Sequence, residues 1–218
     1  MLWAAVSVRL LTRAVPCGTS SPPRLVHHRR KMRLAAFLCL CAATVLAAPL
    51  SFQLRDTQGA IHTQGEFAGH NAIVLFFTTT DCPIANSYVP EMNRIHDAYA
   101  SRSVLFYAVQ TDLTIPEADV AAYARDFRYA YPLLLDPKQQ LVRWTGASIT
   151  PQAAILAPDG KLLYLGRVDN RVEDFGKQRL QPTVFDLRDS LDAVLARKTV
   201  PHAVTKSVGC AITLKSTP

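Results

Sequence analysis

Two cysteines carry the chemistry this sequence offers. Cys82 sits in "FFTTTDCPIANSYVP" (76–90), between an apolar run and what reads as the start of a helix, and Cys210 sits in "SVGCAI" near the far end. A thiol at a strand–helix junction meets outward-pointing backbone N–H groups. The helix dipole there favours the thiolate and lowers the thiol pKa. Pro83 suits the first helical position, since its missing N–H would have no intrahelical partner. Thr78, Thr79 and Thr80 bring hydroxyls able to hydrogen-bond a thiolate or an incoming oxygen atom. Asp81 opposes thiolate formation if its carboxylate faces the sulfur and matters little as a solvated side chain. The plainer use of a lone cysteine is as a small buried apolar residue. Position by itself leaves both uses open.

The elements around them alternate. "SFQL" reads as a short strand, "DTQG" as a turn and "AIHT" as a hairpin partner. "NAIVLFFTT" (71–79) and "SVLFYAVQT" (103–111) are near-continuous apolar runs, the pattern of strands buried on both faces. Between them a helix is expected over 83–100, with Met92, Ile95 and Tyr99 at helical spacing. "PEADVAAYARDF" (116–127) opens with Pro and acids and reads as a helix. "YPLLLD" (131–136) is a strand, "PKQQLVRWTG" (137–146) a short helix ended by Gly146, and "QAAILA"–"PDG"–"KLLYLGRV" (152–168) a β-hairpin. A final amphipathic helix is expected over 183–198, with Val184, Leu187, Leu191, Val194 and Leu195 on one face. "RVDNRVEDFGKQR" (167–179) reads as a solvated loop and residues 199–218 as an exposed tail. The order βαβ, then α and β, then α, hairpin and closing helix describes a three-layer α/β domain with a mixed sheet.

Charge argues for a leader rather than a nucleic-acid surface. The net charge is +7, yet seven of the 24 basic residues lie in 1–48 together with none of the 17 acidic ones, so the remainder is balanced. "RRKMR" (29–33) followed by the apolar "LAAFLCLCAATVLAA" (34–48) has the form of a signal peptide, with Val45-Leu46-Ala47 before Ala48-Pro49 as the cleavage site. Met32 opens that leader by itself, which makes 1–31 an expected artefact of start-codon choice; an organelle transit peptide and an uncleaved anchor are the rival readings. The expected division is a leader over 1–48, a domain over 49–198, and a tail over 199–218. Cys17, Cys39 and Cys41 fall in the leader, leaving Cys82 and Cys210. In an oxidising, exported setting two thiols seldom stay inert. They form a structural disulfide, a redox couple or part of a metal site.

Longer stretches carry a family resemblance. Cys82-Pro83-Ile84-Ala85, with Pro90 eight residues beyond the cysteine, resembles the thioredoxin active-site helix, where a proline at that offset bends the helix. Ile149-Thr150-Pro151 looks like the cis-proline segment that faces the active cysteine in that superfamily. Over residues 50–198 and the tail Val208-Gly209-Cys210-Ala211-Ile212, the chain resembles peroxiredoxin-like redoxins of the AhpC/TSA type, particularly exported ones ending in a GC-x-I tail. Residues 112–135 then correspond to the helix–strand insertion that separates redoxins from minimal thioredoxins. There are departures. Ala85 stands where thioredoxin has its second cysteine, and no tryptophan precedes Cys82. Thr79 matches the peroxiredoxin threonine, but Leu75 stands at the place of its proline; Arg143 and Arg167 are the candidates for its arginine.

The resemblance implies a thioredoxin-like fold and a thiol oxidoreductase. Cys82 is the expected nucleophile, Thr79 orients the peroxide or sulfur, and Pro151 shapes the substrate-facing loop. Cys210 is the expected resolving thiol, reaching across within one chain or from a neighbour in a homodimer, with Gly209 relaxing the backbone beside it. The reaction is hydroperoxide reduction or thiol–disulfide exchange with a protein partner; no cofactor is required, and the sequence names no electron donor. The expected location is the periplasm or another extracytoplasmic space. Two rival readings stand: a copper-binding factor using Cys82, Cys210 and His96 or His202, and a domain stapled by an inert Cys82–Cys210 disulfide.

Overall fold

The apolar run at 72–78 becomes a central strand in which all seven residues are buried. Residues 51–216 are described by the structure, a computed structural model. The expected leader, its cleavage site and Cys17, Cys39 and Cys41 lie outside the described residues. A seven-stranded mixed sheet is built from β1 (Gln53–Asp56), β2 (Ile61–Thr63), β3 (Ala72–Thr78), β4 (Val104–Gln110), β5 (Leu133–Leu135), β7 (Gln152–Leu156) and β8 (Leu162–Gly166), in the order β2-β1-β5-β4-β3-β7-β8. β3, β4 and β5 run parallel, while β7, β8, β1 and β2 add antiparallel pairings. The stub β6 (Ile149–Thr150) precedes β7 and stands outside this sheet.

Side-chain alternation along β3 sorts the core into two layers. Val74 and Phe76 face the helices α1 (Pro83–Tyr99), α2 (Glu117–Asp126) and α4 (Asp186–Leu195), packing with Met92, Ile95, Val120, Leu187 and Leu191. Ile73, Leu75 and Phe77 face the other way, onto Phe52, Phe67 and the short helix α3 (Gln140–Thr145) through Leu141 and Val142. Full burial of a Phe or Leu side chain is worth roughly 1.5–3 kcal/mol, so the sheet centre is the anchor to which the site is fixed. The fold is the expected three-layer α/β arrangement with a mixed central sheet.

Three sequence expectations change. The last helix starts at Asp186 rather than 183: Asp186 is buried against Arg167 at 2.6 Å, and Val184 is held before the helix by the Asn170 side chain. Val184 therefore stays exposed rather than joining the helix face. The loop over 167–179 is not simply solvated. It folds into a hairpin of β9 (Val172–Asp174) and β10 (Lys177–Gln178) and buries Asp169, Asn170 and Val172.

The tail is the third. Most of its residues are exposed, as expected, yet it is docked as a strap. Edge strand β8 presents unpaired backbone groups, and the Leu165 N–H donates to Ala203 O while Thr205 N–H donates back to Leu165 O. The Thr205 hydroxyl accepts the Arg167 N–H and meets the Tyr164 hydroxyl; Gly166 lies so close beneath that a Cβ there would overlap Thr205 Oγ1. Further on, the strand β11 (Cys210–Ala211) pairs antiparallel with β6, and the Gln139 side chain binds Thr213 O and Lys215 N–H.

Candidate active site

β3 delivers the chain to the site and α1 leaves it. Cys82 is the N-cap of α1, with extended backbone (φ −96°, ψ 104°), and Pro83 takes the first helical position. A cap residue offers its side chain to the free N–H groups of the first turn; here the Cys82 sulfur accepts the Ala85 N–H at 3.5 Å. The thiol donates to the Thr150 carbonyl at 3.1 Å. Cys82 is 0% exposed.

Thr150 is the meeting point. It precedes Pro151 through a cis peptide bond. In the β6–β11 ladder Thr150 lies opposite Cys210, and Ile149 opposite Ala211. The tail thus lays its cysteine over the same residue that touches Cys82, near enough for each thiol to shift the acidity of the other. Both are free. Gly209 makes this approach feasible in a way that differs from the expected softening of the tail. A Cβ at position 209 would overlap the Thr150 carbonyl, so the glycine is there for close backbone contact.

The electrostatics of the pair are asymmetric. Burial pushes the Cys82 thiol up, but the Cys210 thiol, the Ala85 N–H, Thr150 and the Cys210 backbone N–H favour its thiolate, and the net value falls below the ordinary 9.0. Burial, then the hydrogen bond and negative charge of Cys82, push Cys210 up to about 11. The pair therefore releases its first proton early and holds the second tightly.

The three threonines separate. Thr78 Oγ1 joins the hydroxyls of Tyr123 and Tyr129, and Thr80 donates to Asp81, which is exposed. Thr79, 8% exposed, has a buried hydroxyl with no partner. Asn86, which the sequence did not single out, ties the site together. Its amide donates to Thr80 O and accepts the Tyr123 hydroxyl at 2.8 Å. On the flank, Tyr88 donates to the buried Asp169 at 2.6 Å with the Arg171 guanidinium over its ring. The two candidate arginines are engaged elsewhere: Arg167 with Asp186, and Arg143 with the Lys215 carbonyl. His96 packs against Phe106 and Tyr131 and pairs with Asp97, while His202 is exposed. Among the described residues, no group of three His, Cys, Asp or Glu side chains is placed to hold a metal.

A cysteine capping the helix after a central parallel strand, against a cis-prolyl loop, defines a thioredoxin-like redoxin. Residues 46–165 match the AhpC/TSA family, and the chain belongs to it. The thiol-disulfide oxidoreductase ResA of Geobacillus thermodenitrificans is 25% identical over 121 residues, which span 56% of this chain and 68% of that protein. Among solved structures, a hypothetical protein of Sinorhizobium meliloti 1021 superposes with TM-score 0.66 at 25% identity, covering 77% of this chain and 92% of the other. An uncharacterized conserved protein of Geobacillus kaustophilus gives TM-score 0.62 at 22% identity, covering 77% and 90%.

Proposed function

We propose that this redoxin is a thiol oxidoreductase whose Cys82 and Cys210 cycle between dithiol and disulfide within one chain. One observation carries it: the tail strand seats Cys210 opposite Thr150, whose carbonyl touches the Cys82 sulfur, so two free thiols share one site, with Cys82 pushed below and Cys210 above the ordinary thiol value. In thiol–disulfide exchange, the Cys82 thiolate attacks a partner disulfide, one partner sulfur leaves, and Cys210 then displaces the other as the Cys82–Cys210 bond forms. Pro151 holds the Thr150 carbonyl at the sulfur. The named activity of the ResA relative supports thiol–disulfide exchange, and the leader-like 1–48 supports an extracytoplasmic setting.

Hydroperoxide reduction is a second reading, favoured by the unpartnered Thr79 hydroxyl. There the thiolate attacks the peroxide oxygen, the alcohol leaves, and Cys210 condenses with the sulfenic acid to give the disulfide and water. The test is intact mass of the protein before and after a disulfide oxidant or peroxide. The reading expects a loss of two hydrogens, with a Cys82–Cys210 peptide, absent in Cys82→Ser. Thiols that stay reduced with both oxidants refute it, and tight copper binding by such an inert pair would favour the metal-binding alternative.

A further inference from the structure

We propose that the groove beside the end of the tail is a binding site for a small amphipathic carboxylate, an apolar body ending in one negative charge, with the tail itself as one wall. The site needs neither thiol, so it stands apart from the activity proposed above.

Three segments meet at the groove: the loop after β4, the turn that enters α3, and the tail at Lys215. Two cavities lie side by side there and share Leu113, Pro137 and Lys215 as walls. The outer cavity has a volume of about 470 Å³, the size of a small-molecule site, and its surface is mainly apolar. The inner cavity adds about 210 Å³ and runs against Ile115, Val120 and Leu135. It opens at the carboxyl ends of β4 and β5, the side of an open α/β sheet on which ligands sit.

Charge gives the ligand its direction. Lys138, Arg143 and Lys215 line the outer cavity, and no acid does. All three are exposed, and among the described residues none of them forms an ion pair. The acids of the inner cavity are already engaged. Glu117 pairs with Arg55, Asp112 accepts the Thr114 N–H and hydroxyl, and the buried Asp136 accepts the Gln140 and Leu141 N–H groups. A bound molecule therefore keeps its charge outward, among the cations, and lays its apolar body inward over Leu113 and Pro137. Cations alone would suit any anion, and an apolar cleft alone any oil; the two together select an amphipath.

The tail wall couples this site to the strap. Gln139 holds Thr213 O and the Lys215 N–H, and Arg143 donates to the Lys215 carbonyl. A carboxylate shared by Lys138 or Arg143 on one side and Lys215 on the other ties the tail to the α3 segment. By linkage, whatever the docked tail adds to ligand affinity the ligand adds to tail docking.

Calorimetric titration of the reduced full-length protein tests this, with sodium octanoate as the probe, kept well below its micelle-forming concentration. Saturable one-site binding is expected. Octanol keeps the chain and drops the charge, and should bind roughly tenfold or more weakly. Acetate keeps the charge and drops the chain, and should bind more weakly still. Lys138→Gln/Lys215→Gln removes two cations and no backbone bond of the strap. It should lower octanoate affinity roughly fivefold or more and melt like the parent chain without ligand. Saturating octanoate should also slow limited proteolysis of the tail. Absence of saturable heat overturns the proposal. So does octanol or acetate matching octanoate, since chain and charge would not then be read together. Unchanged affinity in the double variant would place octanoate elsewhere on the molecule, and tail cleavage indifferent to octanoate would remove the tail from the site.

Discussion

Burial and the neighbouring Cys210 thiol pull the Cys82 pKa in opposite directions, and the net value lies below the ordinary 9.0. The helix-start N–H competes with burial, and the neighbouring Cys210 thiol is the largest of the favourable contributions. Replacing Cys210 by Ala is therefore expected to move the midpoint of Cys82 alkylation with iodoacetamide to higher pH. An unchanged midpoint would assign the shift to the helix start alone. Thr79 gives a second prediction at this scale. An orphaned buried hydroxyl costs about 1–3 kcal/mol, so Thr79→Val should melt at the same temperature or higher. If its hydroxyl orients an oxidant, the same variant should react with hydroperoxide roughly tenfold or more slowly while its exchange with small disulfides changes little. Loss of stability without loss of peroxide reactivity would make Thr79 a packing residue.

Among the elements, the β6–β11 ribbon is what converts two distant cysteines into a pair. Gly209→Ala is expected to push β11 off Thr150, because the new methyl group meets a backbone carbonyl that cannot swing aside. Disulfide formation, followed by intact mass after a fixed dose of oxidant, should slow by about tenfold or more, and the tail should become open to limited proteolysis. Wild-type rates in this variant would show that the ribbon is dispensable. The strands and helices themselves were legible: the apolar runs at 72–78 and 104–110 and the capping Cys-Pro all read directly from residue type and spacing. The cis-prolyl loop was legible only through the family resemblance. The strap was not legible, since "PHAVTKSVGC" has no periodicity; it is ordered by edge backbone groups on β8 and by Gln139, which no local pattern announces. Asn86 was missed for a related reason. Its partners, Thr80 and Tyr123, come from the strand end and from α2.

Over the whole molecule the thiol pair writes itself into stability. Cys82 has a lowered pKa on folding, so its contribution is present above the unfolded value near 9.0 and is lost as pH falls through the folded value. Cys210 is raised to about 11, so its contribution is present below 9.0 and is lost as pH climbs toward 11. Together they place the pair's maximum contribution near pH 9. Chemical denaturation of the reduced protein, compared with the Cys82→Ser/Cys210→Ser double variant across pH 6–11, should show a difference that rises to about pH 9 and then declines. A flat difference would mean the thiols do not share a proton.

The strap along β8 and β6 also has a consequence in time. A chain emerging from a ribosome or a translocon completes β3, α1 and the sheet before residues 203–215 exist outside the exit. Until they arrive, β8 is a bare sheet edge, and Cys82 lacks the neighbour that makes it acidic. The nascent domain thus gains its second thiol in the same event that covers an open edge of its sheet.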